Sequence, residues 1–170
     1  MLKRSEVAAV AVSVSAIVVL AMGGTVPASA GPGDFFGPGK LSIRGAAASQ
    51  GENGGYGLGV WARTSGGAED AEGQFRAGHR GPDGEYGMAG NVHCLSRDAS
   101  GLIQVSGRIF GSGGQDFAGK DFAATVDVDS EPQRFSEVRI GEPDSLAPCS
   151  GGLPTFHDVS EGGYETAGGE

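Results

Sequence analysis

Glycine spacing constrains this chain more than any other feature. Thirty-three of its 170 residues are glycine, well above the usual share of about 7%. Glycine at that level can mark disorder, but here its arrangement points elsewhere. Beyond residue 30 the glycines fall mainly in clusters, and the segments between them alternate. In Tyr56-Gly57-Leu58-Gly59-Val60-Trp61, Tyr56, Leu58 and Val60 share one face. Tyr86, Met88, Val92 and Cys94 do the same in the next long run. Ile103, Val105, Gly107 and Ile109 alternate, as do Phe122, Ala124, Val126 and Val128. A period of two places successive side chains on opposite faces of a strand, one buried and one wet. Weaker strand candidates are 41–47, 74–78 and 134–140. No stretch after the leader holds a helical period for three turns, so the chain is predicted to be all-β.

The separators fit that reading. Gly81-Pro82-Asp83-Gly84 and Asn53-Gly54-Gly55 are hairpin turns in which Pro presets φ and Gly accepts positive φ. Thr64 to Gly67, Asp98 to Gly101, Gly111 to Gly114 and Ser130-Glu131-Pro132 punctuate the rest. Turn signals every ten or so residues predict a small antiparallel β-sandwich of about seven or eight strands, with a β-barrel as the alternative.

The N-terminus is different in kind. A basic start at Lys3 and Arg4 precedes an apolar stretch from Val7 to Met22, then Gly23-Gly24 and Ala28-Ser29-Ala30. That is the layout of a cleavable secretory signal over 1–30. A membrane anchor is the competing reading, but a spanning helix needs roughly 20 apolar residues. The expected organisation is a signal over 1–30, a Gly/Pro-rich flexible lead-in over 31–39, a single β domain over 40–158 and a disordered acidic tail over 159–170. The tail is small, acidic and poor in apolar residues, too little to offset its ordering entropy. Beyond residue 30 the chain holds ten basic and twenty acidic residues, a charge of about −10. Affinity for phosphate comes from clustered Lys and Arg. Arg76, Arg80, Arg97 and Arg108 stand isolated, so nucleic acid and, once the signal is cleaved, a membrane are not expected partners.

Two cysteines remain, Cys94 and Cys149. For an exported chain such a pair reads as a disulfide tying the C-terminal segment to the core. A reactive thiol would want a base beside it, and His93, its neighbour on a strand, points to the other face. His79, His93 and His157 show no metal spacing. No G-x-S-x-G elbow is present, and no cofactor is implied. Asp127, Asp129 and Glu131 would share a strand face that suits calcium; acids outward beside inward Val126 and Val128 is the plainer reading. Tyr56, Trp61, Phe75 and Tyr86 could form a carbohydrate-stacking platform. Only Trp61 is out of phase with the apolar face, which makes it the candidate ligand contact.

Other parts of the pattern look familiar. Gly87, Gly90, Val92, Cys94 and Leu95 form one element, Gly107, Arg108 and Ile109 a second, and Phe122, Val126 and Pro132 a third, followed by Cys149-Ser150-Gly151-Gly152. Over about half the chain this resembles small secreted β proteins of unassigned function from high-GC Gram-positive bacteria. The resemblance implies a fold and no mechanism. The expected function is non-catalytic: binding of a protein or carbohydrate partner outside the cell or at its envelope. The alternatives are an inhibitor using a stiff loop from Glu142-Pro143-Asp144 to Pro148, or a hydrolase on a β scaffold.

Overall fold

The computed structural model describes residues 40–168 except 52, 53 and 83. The signal over 1–30 and the lead-in over 31–39 therefore lie outside the described residues. The fold is all-β. Ten strands follow one another: β1 (Ser42–Gly51), β2 (Gly54–Thr64), β3 (Ala71–Gly81), β4 (Gly84–Arg97), β5 (Ile103–Gly113), β6 (Asp121–Asp127), β7 (Arg134–Ser136), β8 (Arg139–Gly141), β9 (Phe156–Asp158) and β10 (Glu161–Ala167). Among the described residues a single 3₁₀ turn, Ala68–Asp70, lies between β2 and β3.

All pairings are antiparallel, and the strands form one sheet in the order β10-β1-β2-β3-β4-β5-β6-β7-β9, with β8 beside β7 on β6. The sheet curls into a half-barrel, so the architecture is the barrel-like alternative and not two sheets packed face to face. It also has more strands than the seven or eight expected. One reason is that the run over 134–140 breaks at Glu137-Val138 into β7 and β8. At the break, Ser136 Oγ accepts the Thr125 N–H (2.9 Å) in place of a partner carbonyl.

The strongest period-two segments supply the interior. Leu58, Val60 and Ala62 of β2, Phe75 of β3, Val92 and Leu95 of β4, Val105 and Ile109 of β5, and Phe122, Ala124 and Val126 of β6 are all buried. Phe75 and Phe122 stack with ring centroids 3.7 Å apart. Each large apolar side chain taken from water contributes about 1.5–3 kcal/mol, so these rows hold the curl closed.

Curling needs local twist, and β4–β5 supplies it with two bulges, the device that bends antiparallel ladders. Register slips once between Ala89 and Gly90, where Phe110 is the extra residue, and again between Val92 and Cys94, where His93 is. The slips lie in opposite strands and cancel. Gly84, at φ +129, turns the β3–β4 hairpin as its sequence predicts.

Residues 161–167, expected within a disordered tail, are an ordered edge strand. They pair along β1 from Ser42↔Ala167 to Ala48↔Glu161. A backbone ladder needs no apolar composition, and one residue, Tyr164, provides the anchor. It is 5% exposed, and its hydroxyl donates to the Leu58 carbonyl (2.8 Å). Gly45, opposite it at φ +148, could carry no Cβ without meeting the Gly163 carbonyl. β9 and β10 lie at the two margins of the sheet although only Val159 and Ser160 separate them. Val159 N–H donates to Gln133 O (2.8 Å) and Ser160 N–H to Ala48 O (2.9 Å), so the margins meet at this corner.

Candidate functional site

Cys94 and Cys149 form a disulfide, 55 residues apart in sequence with Cα atoms 5.1 Å apart. Cys94 is buried, but not on the face its alternation suggested. The extra residue His93 shifts the phase, so Leu95 opposite Val105 turns into the core while Cys94 opposite Ser106 faces outward. It is buried there because the segment 142–152 crosses the outer surface. Cys149, in the left-handed region at φ +55, donates its N–H to Ser106 Oγ (3.2 Å). Gly152 N–H donates to Thr125 Oγ1 (3.0 Å), and that hydroxyl donates to Gln104 Oε1 (2.8 Å). Arg108 and Lys120 bind Asp144 (2.6 Å) and Glu142 (2.9 Å). The strap is turned, with Ser145 N–H to Glu142 O and Ser150 N–H to Ala147 O.

The carboxylates Asp127, Asp129 and Glu131 do not converge. Asp127 ends β6 and is paired with Arg134 (2.5 Å), Asp129 with Arg97 (3.3 Å), and Glu131 is exposed. Burial works to raise the Asp127 carboxyl. The Arg134 guanidinium and the Ser130 N–H outweigh it and hold the carboxyl below its ordinary value. Among the described residues no group of three or more His, Cys, Asp and Glu side chains is placed to hold a metal ion.

Trp61 is 39% exposed on the outer face of β2. Directly paired residues of an antiparallel sheet share a face. One row therefore runs Glu165, Arg44, Trp61, Gln74, Asn91 across β10, β1, β2, β3 and β4. The next row is Gly163, Ala46, Gly59, Arg76, Ala89, and the one after holds Ala48, Gly57, Gly78 and Gly87. The surface beside Trp61 is thus a floor nearly free of side chains, from which Arg76 stands up. The indole lies down on it: a Cβ at Gly59 would sit 2.8 Å from Trp61 Cη2 and Cζ3. A groove of about 480 Å³ adjoins, lined by Arg44, Trp61, Gln133, Gly163, Tyr164 and Glu165. Arg44 and Glu165 are ion-paired across it (2.5 Å). Tyr56, Phe75 and Tyr86, the other aromatic candidates, pack inside the curl and take no part in this surface.

Two histidines with no sequence relationship flank one tyrosine at the interior end of β2 and β3. Tyr56 stacks on His157 (centroids 4.2 Å) and lies against His79 (4.4 Å), which in turn approaches Tyr86 (5.5 Å). Glu137 Oε1 is 3.3 Å from His157 Nε2, close enough for an ion pair when the ring is protonated, although the geometry makes no hydrogen bond. Burial, then Glu137, raises the Tyr56 phenol; burial, Tyr56 and Glu137 raise that of Tyr86. Spacing could not reveal this group. Its one sequence signal is that His79 stands in phase with Phe75 and Ala77. His93, the bulged residue, is exposed.

The chain matches no protein-family model, no curated protein and no solved structure.

Proposed function

We propose that this is an exported, non-catalytic binding protein whose outer face around Trp61 receives a carbohydrate partner. The observation that carries the reading is a half-exposed tryptophan lying flat beside a glycine- and alanine-floored sheet. A pyranose ring offers one flat C–H face and an equatorial belt of hydroxyls. An exposed indole suits the first, and planar amide, guanidinium and carboxylate groups suit the second. Gln74, Asn91, Arg76, Arg44 and Glu165 surround Trp61 and supply these groups. The groove is shallow and lies on rigid strands, a geometry for recognition more than for closing water away from a reaction.

Export rests on the three-part leader over 1–30 and is compatible with two further facts. The two cysteines are joined, and no helix among the described residues is long and apolar enough to cross a membrane. Disulfides persist in oxidising compartments. The resemblance to secreted β proteins of high-GC Gram-positive bacteria points the same way.

The test is a glycan array with the purified domain, followed by calorimetry on any hit. Trp61→Ala should abolish binding, and Gly59→Ala should weaken it by displacing the indole while the protein stays folded. Binding unchanged in both variants, or no glycan bound at all, would refute the reading. Export is tested separately: mass spectrometry of culture medium should find an N-terminus at Gly31.

A further inference from the structure

Inside the curl, beside Tyr56 and its two histidines, is a cavity of about 80 Å³ whose lining includes Tyr56, Leu58, Tyr86, Met88, Phe135 and Glu137. From these walls we infer a second ligand site, for a small organic ammonium group carrying methyl substituents. It is independent of the outer face around Trp61.

The chemistry of the walls selects a cation. Three of the lining side chains, Tyr56, Tyr86 and Phe135, are aromatic. With Tyr56 held between His79 and His157, Tyr86 and Phe135 are the rings left to offer a face, and the face of an aromatic ring attracts positive charge. A fourth, Met88, is a polarisable thioether. The only charged group is the Glu137 carboxylate. No arginine or lysine lines the cavity, and among the described residues Glu137 is ion-paired only with His157. Its influence on both phenols means that the carboxylate, Tyr56 and Tyr86 all act on the same space. The carboxylate is about one-third exposed and is met only by His157 among the described residues, so its charge stays available to a cationic guest.

The same walls limit size. One water needs about 10–15 Å³ of such space, so the cavity has room for several waters and suits a head group of a few heavy atoms. An ammonium bearing methyl groups combines that volume with an apolar surface for Leu58 and Met88 and a charge for Glu137. The walls are already organised. His79 and His157 hold Tyr56 between them, at 4.4 and 4.2 Å. Phe117 meets Tyr86 edge-on at 5.8 Å. A fixed aromatic wall loses little entropy when a guest arrives.

Choline is the probe, and 3,3-dimethylbutan-1-ol, its uncharged isostere, is the control. Titration followed by NMR should give saturable shifts at the Met88 methyl and at the rings of Tyr56 and Tyr86. The neutral isostere should bind at least roughly tenfold more weakly, the scale of one desolvated cation–π contact with its counter-charge. Glu137→Gln, similar in shape and half-exposed, should lose a similar factor while keeping the wild-type amide spectrum. Trp61→Ala should bind choline as the wild type does, which separates this site from the outer surface. Equal affinity for choline and the isostere, no effect of Glu137→Gln, or no saturable shift with choline would each overturn the assignment.

Discussion

Gln133 and Tyr164 pair as if both were strand residues, although one partner is a side chain. The Gln133 carboxamide donates from Nε2 to the Tyr164 carbonyl (3.1 Å) and accepts the Tyr164 N–H at Oε1 (2.8 Å). Gln133 precedes β7 and Tyr164 is the middle of β10, so the two bonds staple one margin of the curled sheet to the other. They also occupy the backbone groups that an edge strand would otherwise offer to a stranger.

Removing the staple should therefore open the seam. Gln133→Leu forfeits these two hydrogen bonds and a third from Nε2 to the Val128 carbonyl (3.3 Å), about 1 kcal/mol each, so urea denaturation should show a loss of roughly 3 kcal/mol. Hydrogen exchange should quicken in β10 before it quickens in β2 or β3.

Tyr164 sets the alkaline limit of stability. Burial raises its phenol above the ordinary value, so in the folded state it stays protonated when the same group in the unfolded chain ionises. The native state then binds more protons, and stability falls as pH rises above the unfolded value of about 10. Below that pH the contribution is fully present. Tyr164→Phe should flatten this limb of the pH–stability profile. At neutral pH it should cost about 1–3 kcal/mol, because the buried Leu58 carbonyl loses its donor. Thermal melts from pH 7 to 11 would measure both effects.

The disulfide closes a long loop, with partners 55 residues apart. Chain entropy of that closure is worth about 4 kcal/mol in the unfolded state. The Cys94→Ala, Cys149→Ala double variant should lose an amount of that order in denaturant titration. Limited proteolysis should then cut first within 142–152.

Strand content was legible because period-two alternation is local: Leu58, Val60 and Ala62 announce their face without knowing what they pack against. Barrel or sandwich was not, since both require the same inward rows. The face of Cys94 was misread for a sharper reason. A bulge adds one residue without any change of residue type, and His93 looks like any other strand position. β10 escaped because its stability lies in a ladder with β1, more than a hundred residues away, and in the lone anchor Tyr164. Trp61 was visible through its phase, while its glycine floor emerges only once β1 to β4 are set in register. The packing of both His79 and His157 on Tyr56 is purely tertiary, since β9 reaches β2 through the path of the chain around the seam.

The strap over the outer surface also decides what happens when the molecule meets a reductant. With the bond cleaved, only a few hydrogen bonds and the exposed ion pairs of Asp144 and Glu142 would hold 142–152 in place, and exposed pairs of this kind are weak. Once the strap lifts, Cys94 changes from a shielded half-cystine to a surface thiol ringed by the uncovered Ser106, Ala123 and Thr125. The crosslink therefore does more than tether a segment. It keeps a nucleophile out of reach, and reduction would present that thiol on the surface of the sheet.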